Sequence, residues 1–457
     1  MKKIAAALFA GFVLAGCGGD LSSTSKDSNA ETNASSDVTS SVLPERYEAS
    51  EANAASLNAI GEDFVKLALA VGQHDAAFVD AYHGPEEWAQ AAKSATRTLE
   101  ALETEAQGLL ISVARTNADE STVRGAMLEK LTRAALTRVQ MLQGEVFSFN
   151  EETRLLYDAI PRDYDLAEFD EALAQIERLL PGDTPLHERV DAFRNTLAIP
   201  KDKLQTVFDA AIAECRRRTL SHYDLPDTES FSLAFVTDKP WSGYNWYQGD
   251  FESLIQVNTD FPIIIDRAVD LGCHEGYPGH HTWNIMLERF LLKEKGWIEY
   301  SVYPLFSPMS VMAEGSANYG IELAFPGDEK IAFERDVLFP LAGFDPGTAE
   351  TLAQLNKYRS KLGHARNHIA REYLDGRLTR EEAIVMTMKY RLEARDRAEQ
   401  GMRFVDTYRG YVINYTLGRD LVDGFVEAGV AEGRDPWDVF ETLLMTPLAA
   451  SDILAAQ

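Results

Sequence analysis

His274, Glu275, His280 and His281 fall in the run His274-Glu-Gly-Tyr-Pro-Gly-His280-His281. A His-Glu pair followed closely by another His has the makings of metal-dependent hydrolysis. The imidazoles hold an ion, and the carboxylate takes a proton from a water that the ion activates. The usual spacing, H-E-x-x-H, works because residues i and i+4 share one helical face. Here that position is Pro278, which cannot bind a metal. On a regular helix i+6 points about 120° away, and i+7 points back but about 10 Å further along. Neither His280 nor His281 can then share an ion with His274 at about 2 Å per ligand unless the helix deforms. Pro278-Gly279 supplies a deformation, since proline removes a backbone donor and glycine tolerates unusual dihedrals. Two residues bulged out there would restore the relation of His274 to His280. The competing reading is a helix end that happens to be rich in histidine.

A catalytic zinc takes three protein groups and keeps one position open. The third is sought on a downstream helix, where Glu314 and Glu322 stand two turns apart. Glu314 is favoured as ligand, because Gly315, Ser316 and Ala317 after it permit close helix approach. Glu322 is expected to orient a ligand histidine. Tyr411 and Tyr415, four residues apart, are candidate donors to a tetrahedral oxyanion. Against that stands the commoner role of a buried tyrosine in aromatic packing. Arg366, with His364 and His368, forms a polar cluster that could hold a substrate carboxylate or form a solvated, salt-bridged face.

The elements that must position these groups are mostly helical. Residues 51–71, 86–110, 122–147 and 164–180 carry apolar residues at three- and four-residue spacing, separated by turn signals such as His83-Gly-Pro85. Residues 309–325, 348–375 and 379–404 read likewise. Phe231–Val236 and Ser253–Asn258 are short and β-rich, and predict a small antiparallel sheet beside the metal-site helix. An edge strand there could accept a substrate backbone. The fold class expected is therefore mainly α, a large helical metallopeptidase-like domain with a small antiparallel β-sheet.

The first residues have another task. Met1-Lys-Lys3, an apolar run and Leu14-Ala-Gly-Cys17 read as a signal peptide (1–17) with a bacterial lipobox, in which Cys17 is lipidated. The apolar run is too short to span a membrane. Residues 18–43, rich in Ser, Thr, Asn and Asp, read as a disordered tether. Residues 44–457 form the globular part, with 44–200 as a helical N-terminal portion and 201–457 carrying the site. No acidic residue follows Cys17 directly. By similarity to lipoprotein sorting rules, this points to the outer membrane, facing the periplasm. The formal net charge of −28 excludes a nucleic-acid partner, which requires a basic footprint. Cys215 and Cys273 remain after Cys17, and the sequence leaves their pairing open.

The run from His274 to His281, then Glu314-Gly with Tyr319 and Glu322, then Tyr411 through Gly418, resembles the domain of unknown function 885 family. These are bacterial, often lipid-anchored proteins regarded as zinc metallopeptidases, similar to helical gluzincin carboxypeptidases and oligopeptidases. The family pattern is approximately H-E-x-x-P-G-H, then E-G-W-A-x-Y-x-E, then a tyrosine and glycine stretch. The likeness spans roughly residues 231–418. It implies His274, His280 and Glu314 as ligands of one zinc ion, Glu275 as general base, and His280 rather than His281 as the second imidazole. His281, Tyr319, Glu322 and Arg366 fall to supporting or substrate-facing roles. Ser316 departs from the tryptophan of the second motif. Ala370 and Leu374 stand where many members carry Asp and His.

The reading is a lipid-anchored envelope metallopeptidase, with a peptide substrate and a membrane contact through the lipid on Cys17. Two other readings remain: a non-catalytic metal- or peptide-binding lipoprotein, and a zinc amidohydrolase acting on a non-peptide amide.

Overall fold

Periodic apolar residues make most of the described chain helical. The computed structural model describes residues 49–239 and 241–456, so the leader with Cys17 and the whole of the tether lie outside the described residues. The Glu51–Val71 helix has the bounds its periodicity predicts, and Ser50 caps it by accepting from the Asn53 amide. Three longer expected helices are each broken in two. Residues 86–110 divide into Glu86–Ser94 and Leu99–Asp119, the second capped by Thr98. Residues 348–375 divide into Ala349–Ser360 and Ala365–Leu374. Residues 379–404 divide into Arg380–Arg391 and Arg395–Tyr408, with Leu392 between them at φ 55°. Apolar periodicity runs on through a short turn when both helices bury the same side, so it hides the break.

The core joins these helices through residues such as Leu57, Phe64, Leu102, Leu128 and Phe149. A smaller cluster around Phe169, Ile176, Leu355 and Tyr390 packs the Leu166–Leu179 helix on those of 349–360 and 380–391.

Five short strands complete the described elements: β1 (Val79–Tyr82), β2 (Ser230–Val236), β3 (Gly243–Gly249), β4 (Glu252–Asn258) and β5 (Val302–Pro304). β1 pairs antiparallel with β5. The other three form a sheet in the order β2-β4-β3. The expected antiparallel pairing of 231–236 with 253–258 is corrected, since β2 and β4 run parallel with Phe231 opposite Ser253. The antiparallel partner of β4 is β3, which the sequence reading left as the connection. Once β3 reverses the chain and turns tightly into β4, β4 must run in the same direction as β2.

Two features bring the site together. The Pro308–Ala324 helix is buried through most of its first half, from Met309 to Ala317. At Gly315 a Cβ would lie 2.4 Å from the Gly418 carbonyl oxygen, so the backbones touch at this crossing. Cys215, on the Leu204–Leu220 helix, forms a disulfide with Cys273, the residue before His274. It closes a sequence separation of 58 residues. Loop-closure entropy for a bridge of that span stabilises by up to about 4 kcal/mol.

Replacing both cysteines by serine should therefore lower stability by about 2–4 kcal/mol. The guanidinium unfolding midpoint reads the change, and a midpoint equal to that of the native chain would show that the bridge constrains nothing.

Candidate metal centre

The Asp266–Leu271 helix widens into a π turn over Gly272–Gly276, leaves helical geometry at Tyr277-Pro278-Gly279, and resumes as a helix at His280. Widened turns of this kind concentrate at functional sites. The excursion takes three residues rather than the two expected, and the Tyr277–Pro278 bond is cis. The Gly279 amide donates to the Cys273 carbonyl at 3.0 Å. A Cβ at Gly279 would lie 1.9 Å from the His274 carbonyl oxygen, so this position admits only glycine. The outcome is that His274 and His280 face each other, their rings 4.6 Å apart and nearly perpendicular. With Glu275 they offer ligand atoms that all lie within 4.8 Å of one another.

Glu314 approaches from the facing helix. Its Oε2 is 3.3 Å from His274 Nε2 and 3.8 Å from His280 Nε2. That oxygen is buried and accepts no hydrogen bond of normal geometry. Donors about 2.0–2.1 Å from a tetrahedral zinc ion are separated by about 3.4 Å, so these three atoms suit three corners of such a site. The charges suit it too. Burial pushes the Glu275 carboxyl up to about 7, with His274 opposing and Glu314 adding. Burial pulls His280 down to about 4, which keeps the imidazole neutral, the form that binds a metal. Burial would also raise Glu314, but His274 and His280 outweigh it and hold the carboxyl below its ordinary value. A further carboxyl, Asp80 on β1, is raised to about 6 by burial, against a hydrogen bond from the Tyr244 hydroxyl. Several buried carboxyls around a neutral imidazole make an environment for a cation.

A second layer holds these side chains. Asn318 Oδ1 lies 3.2 Å from His274 Nδ1, and Asn318 Nδ2 donates to the Tyr415 carbonyl at 3.0 Å. The Tyr411 hydroxyl donates to Glu314 Oε1 at 2.8 Å, leaving Oε2 free for an ion. The segment carrying Tyr411 is a 3-10 helix, Arg409–Tyr415, fixed by the buried Glu152. Glu152 accepts from Arg409 Nε at 2.7 Å and from the Gly410 amide at 2.9 Å. On the other side Glu229 accepts from the Tyr277 hydroxyl, pairs with Arg216, and lies 3.0 Å from His281 Nε2. Burial opposes its charge, yet bonds from His281, Tyr277 and Arg216 hold the Glu229 carboxyl at about 2. The sheet closes this side, for Asn245 Nδ2 donates to the Glu275 carbonyl at 2.6 Å.

Other candidates fall elsewhere. His281 is buried with both ring nitrogens engaged, Nδ1 by Ser253 Oγ at 2.7 Å and Nε2 by Glu229, so it anchors the excursion. Glu322 does not orient a histidine. It is exposed and pairs with Arg419 at 2.7 Å. The reason is angular, since i+8 from Glu314 turns about 80° away whereas i+4, Asn318, turns only about 40°. Tyr319 packs against Phe440, outside the centre. The Arg366 cluster separates as well. His364 bonds Tyr164 and Asp420, while Arg366 turns to the rings of Phe404 and Tyr415. Residues two apart on a helix do not share a face. Sequence reasoning missed Asn318, Asp80, Glu152 and Glu229. Of these only Asn318, four residues after Glu314, carried a spacing signal.

No family model matches the chain, and no curated protein matches it. Among solved structures it is similar to a candidate lipoprotein of Colwellia psychrerythraea, at 14% identity and TM-score 0.49. That match covers 77% of this chain and 62% of the Colwellia protein, so the chain spans less than two thirds of it. A candidate lipoprotein of unknown function from Shewanella oneidensis matches at 14% identity and TM-score 0.47, over 80% of this chain and 75% of that one. A carboxypeptidase of Pyrococcus furiosus matches at 11% identity and TM-score 0.40, over 88% and 90%.

Glu314→Ala should abolish high-affinity zinc binding, and Asn318→Ala should weaken it about 10–100-fold. Glu322→Ala should leave it unchanged. Competition with a chromogenic chelator measures all three, and a loss in Glu322→Ala matching that in Glu314→Ala would reverse the assignment.

Proposed function

We propose that this chain is a lipid-anchored zinc peptidase of the bacterial cell envelope, acting on oligopeptides. The observation that carries the reading is the convergence of His274 Nε2, His280 Nε2 and the unpartnered Glu314 Oε2 beside the buried Glu275. His274, His280 and Glu314 would hold one zinc ion, which when bound polarises a carbonyl and lowers the pKa of water. Purely structural zinc sites are closed by four protein ligands, mostly cysteine and histidine, and have no use for an adjacent base.

The chain's own residues supply the rest. Glu275 takes a proton from the attacking water and returns it, at the same carboxylate, to the departing amine. The Tyr415 hydroxyl has no hydrogen-bond partner among the described residues, and its ring packs edge-on to Tyr411. It is the donor available to the oxygen of a tetrahedral centre. Tyr411, expected beside it in that role, instead spends its hydroxyl on Glu314 and fixes the ligand. β3 lies at the edge of its sheet against the Glu275 turn, where an extended peptide can add as a further strand. The lipobox ending at Cys17 supports the envelope location, and a disulfide between Cys215 and Cys273 suits an oxidising compartment.

Full-length protein purified without chelator should carry one zinc ion per chain by mass spectrometry, and His280→Ala should lose it. Glu275→Gln should keep the metal and lose turnover on a peptide library by about 10²–10⁴-fold. Failure of the native chain to bind zinc would overturn the reading. Full activity in Glu275→Gln would remove Glu275 from the mechanism.

A further inference from the structure

We propose that Arg366 receives a carboxylate of the peptide substrate, so that the enzyme selects peptides carrying a free carboxylate close to the cleaved bond. The inference rests on the peptidase reading and names the substrate class of that site.

Arg366, like Arg359, is a half-buried arginine whose guanidinium has no ion pair, and of the two it is Arg366 that lies against the Tyr411–Tyr415 segment. Arg124 is paired with Glu299 at 2.6 Å, Arg194 with Asp266 at 3.1 Å, and Arg371 with Asp163. The guanidinium of Arg366 forms no ion pair and donates no hydrogen bond among the described residues. It lies 4.5 Å from the Phe404 ring centre and 5.4 Å from that of Tyr415. Two aromatic faces fix its direction and recover part of the cost of withdrawing a cation from water. They leave its five donors unused. Glu393, a carboxylate whose field favours the charge of Arg366, is itself taken by Arg391 at 2.9 Å. Burial and the neighbouring Arg391 lower Arg366 only to about 10, so it remains charged at neutral pH.

Its position relates the unpaired charge to the reaction. Tyr415, against which Arg366 lies, packs on Tyr411, and Tyr411 bonds the proposed ligand Glu314. One aromatic segment thus joins metal centre, free hydroxyl and free guanidinium. His274 and His280 keep side-chain exposures of 13% and 16%, and Arg366 and Tyr415 are also incompletely covered, so none of the four is sealed from solvent. A planar fork of N–H donors matches a carboxylate in bidentate fashion. One peptide residue spans at most about 3.6 Å, so a group that bridges the two sites through this segment is a carboxylate within a few residues of the scissile carbonyl. In a chain of net charge −28, an unpaired interior cation is a local invitation to an anion that the surface as a whole repels. Two sources share this chemistry, the C-terminal carboxylate and an acidic side chain.

The test uses zinc-loaded, full-length protein and N-acetylated hexapeptides in four forms: free acid or C-terminal amide, each with Glu or Gln at the penultimate position. The native chain should cleave its preferred carboxylate form at least tenfold more efficiently than the neutral counterpart. Arg366→Gln should erase that preference, mainly through KM, and Arg366→Lys should retain part of it. Equilibrium binding of the same peptides to zinc-stripped protein, followed by calorimetry, should show the same preference and the same loss. Discrimination at the C-terminus assigns the end carboxylate, and discrimination between Glu and Gln assigns a side chain. Cleavage indifferent to both carboxylates overturns the proposal while the peptidase reading stands. Carboxylate-selective binding lost in Arg366→Gln, with no peptide cleaved, supports the Arg366 site and overturns the peptidase reading. A preference that survives in a folded Arg366→Gln, as judged by its melting temperature, also overturns the proposal.

Discussion

Two imidazoles six residues apart must meet on one side of a helix, and that single demand organises the surrounding structure. A regular helix would turn them about 120° apart. The chain meets the demand by leaving the helix at Tyr277-Pro278-Gly279 and re-entering at His280. Such an excursion exposes backbone groups and side chains that must find partners in the interior. Gly279 returns its amide to Cys273, while Tyr277 and His281 both bond Glu229. The disulfide from Cys215 fixes Cys273, in the widened turn that leads into the excursion. Glu229 therefore supports the meeting of the rings as Gly279 does, although neither is a candidate ligand.

The proposed third ligand, Glu314, imposes a second demand, which is met by backbone proximity. Glu314 reaches the imidazoles from a helix whose own crossing at Gly315 and Gly418 leaves no room for a side chain. The Gly418 segment also carries Tyr411 and Tyr415, so one close crossing sets the ligand and its hydrogen-bond donor together. Glu152 then holds that segment from a helix far earlier in the chain. A carboxylate with one oxygen spoken for and the other bare is a directional ligand, and a tyrosine is well suited to making it so.

The parts of this arrangement legible in the sequence are those whose information is local. His274, Glu275 and His280 announce themselves by residue type and spacing, and Glu314 by the small residues after it. The Glu51–Val71 helix follows from its periodicity and its Ser50 cap. What escaped notice depends on groups that meet only in three dimensions. Asp80 and Glu229 sit in unremarkable segments and acquire meaning from Tyr244, Tyr277 and His281. The β2–β4 pairing was misjudged because alternation identifies a strand without fixing its partner or direction. Glu322 misled for the opposite reason, as eight residues look like two whole turns until the accumulated angle is counted.

The distribution of charge around the site separates two tasks that composition merges. Asp80, Glu275 and Glu314 lie on the side of the two imidazoles, where burial raises Asp80 and Glu275 while His274 and His280 hold Glu314 ionised. Arg366 lies beyond the Tyr411–Tyr415 pair with no carboxylate of its own. If the carboxylates and Arg366 were placed to stabilise the fold, pairing them directly would be the simpler solution, as Arg124 and Glu299 do elsewhere. They are instead held apart by the Tyr411 and Tyr415 rings, which carry no charge to neutralise either. An anionic group and a metal ion would each complete one half of the arrangement without neutralising the other. A peptide bearing both a polarisable carbonyl and a nearby carboxylate would address both halves at once, and the aromatic spacer would then act as the ruler that sets their separation.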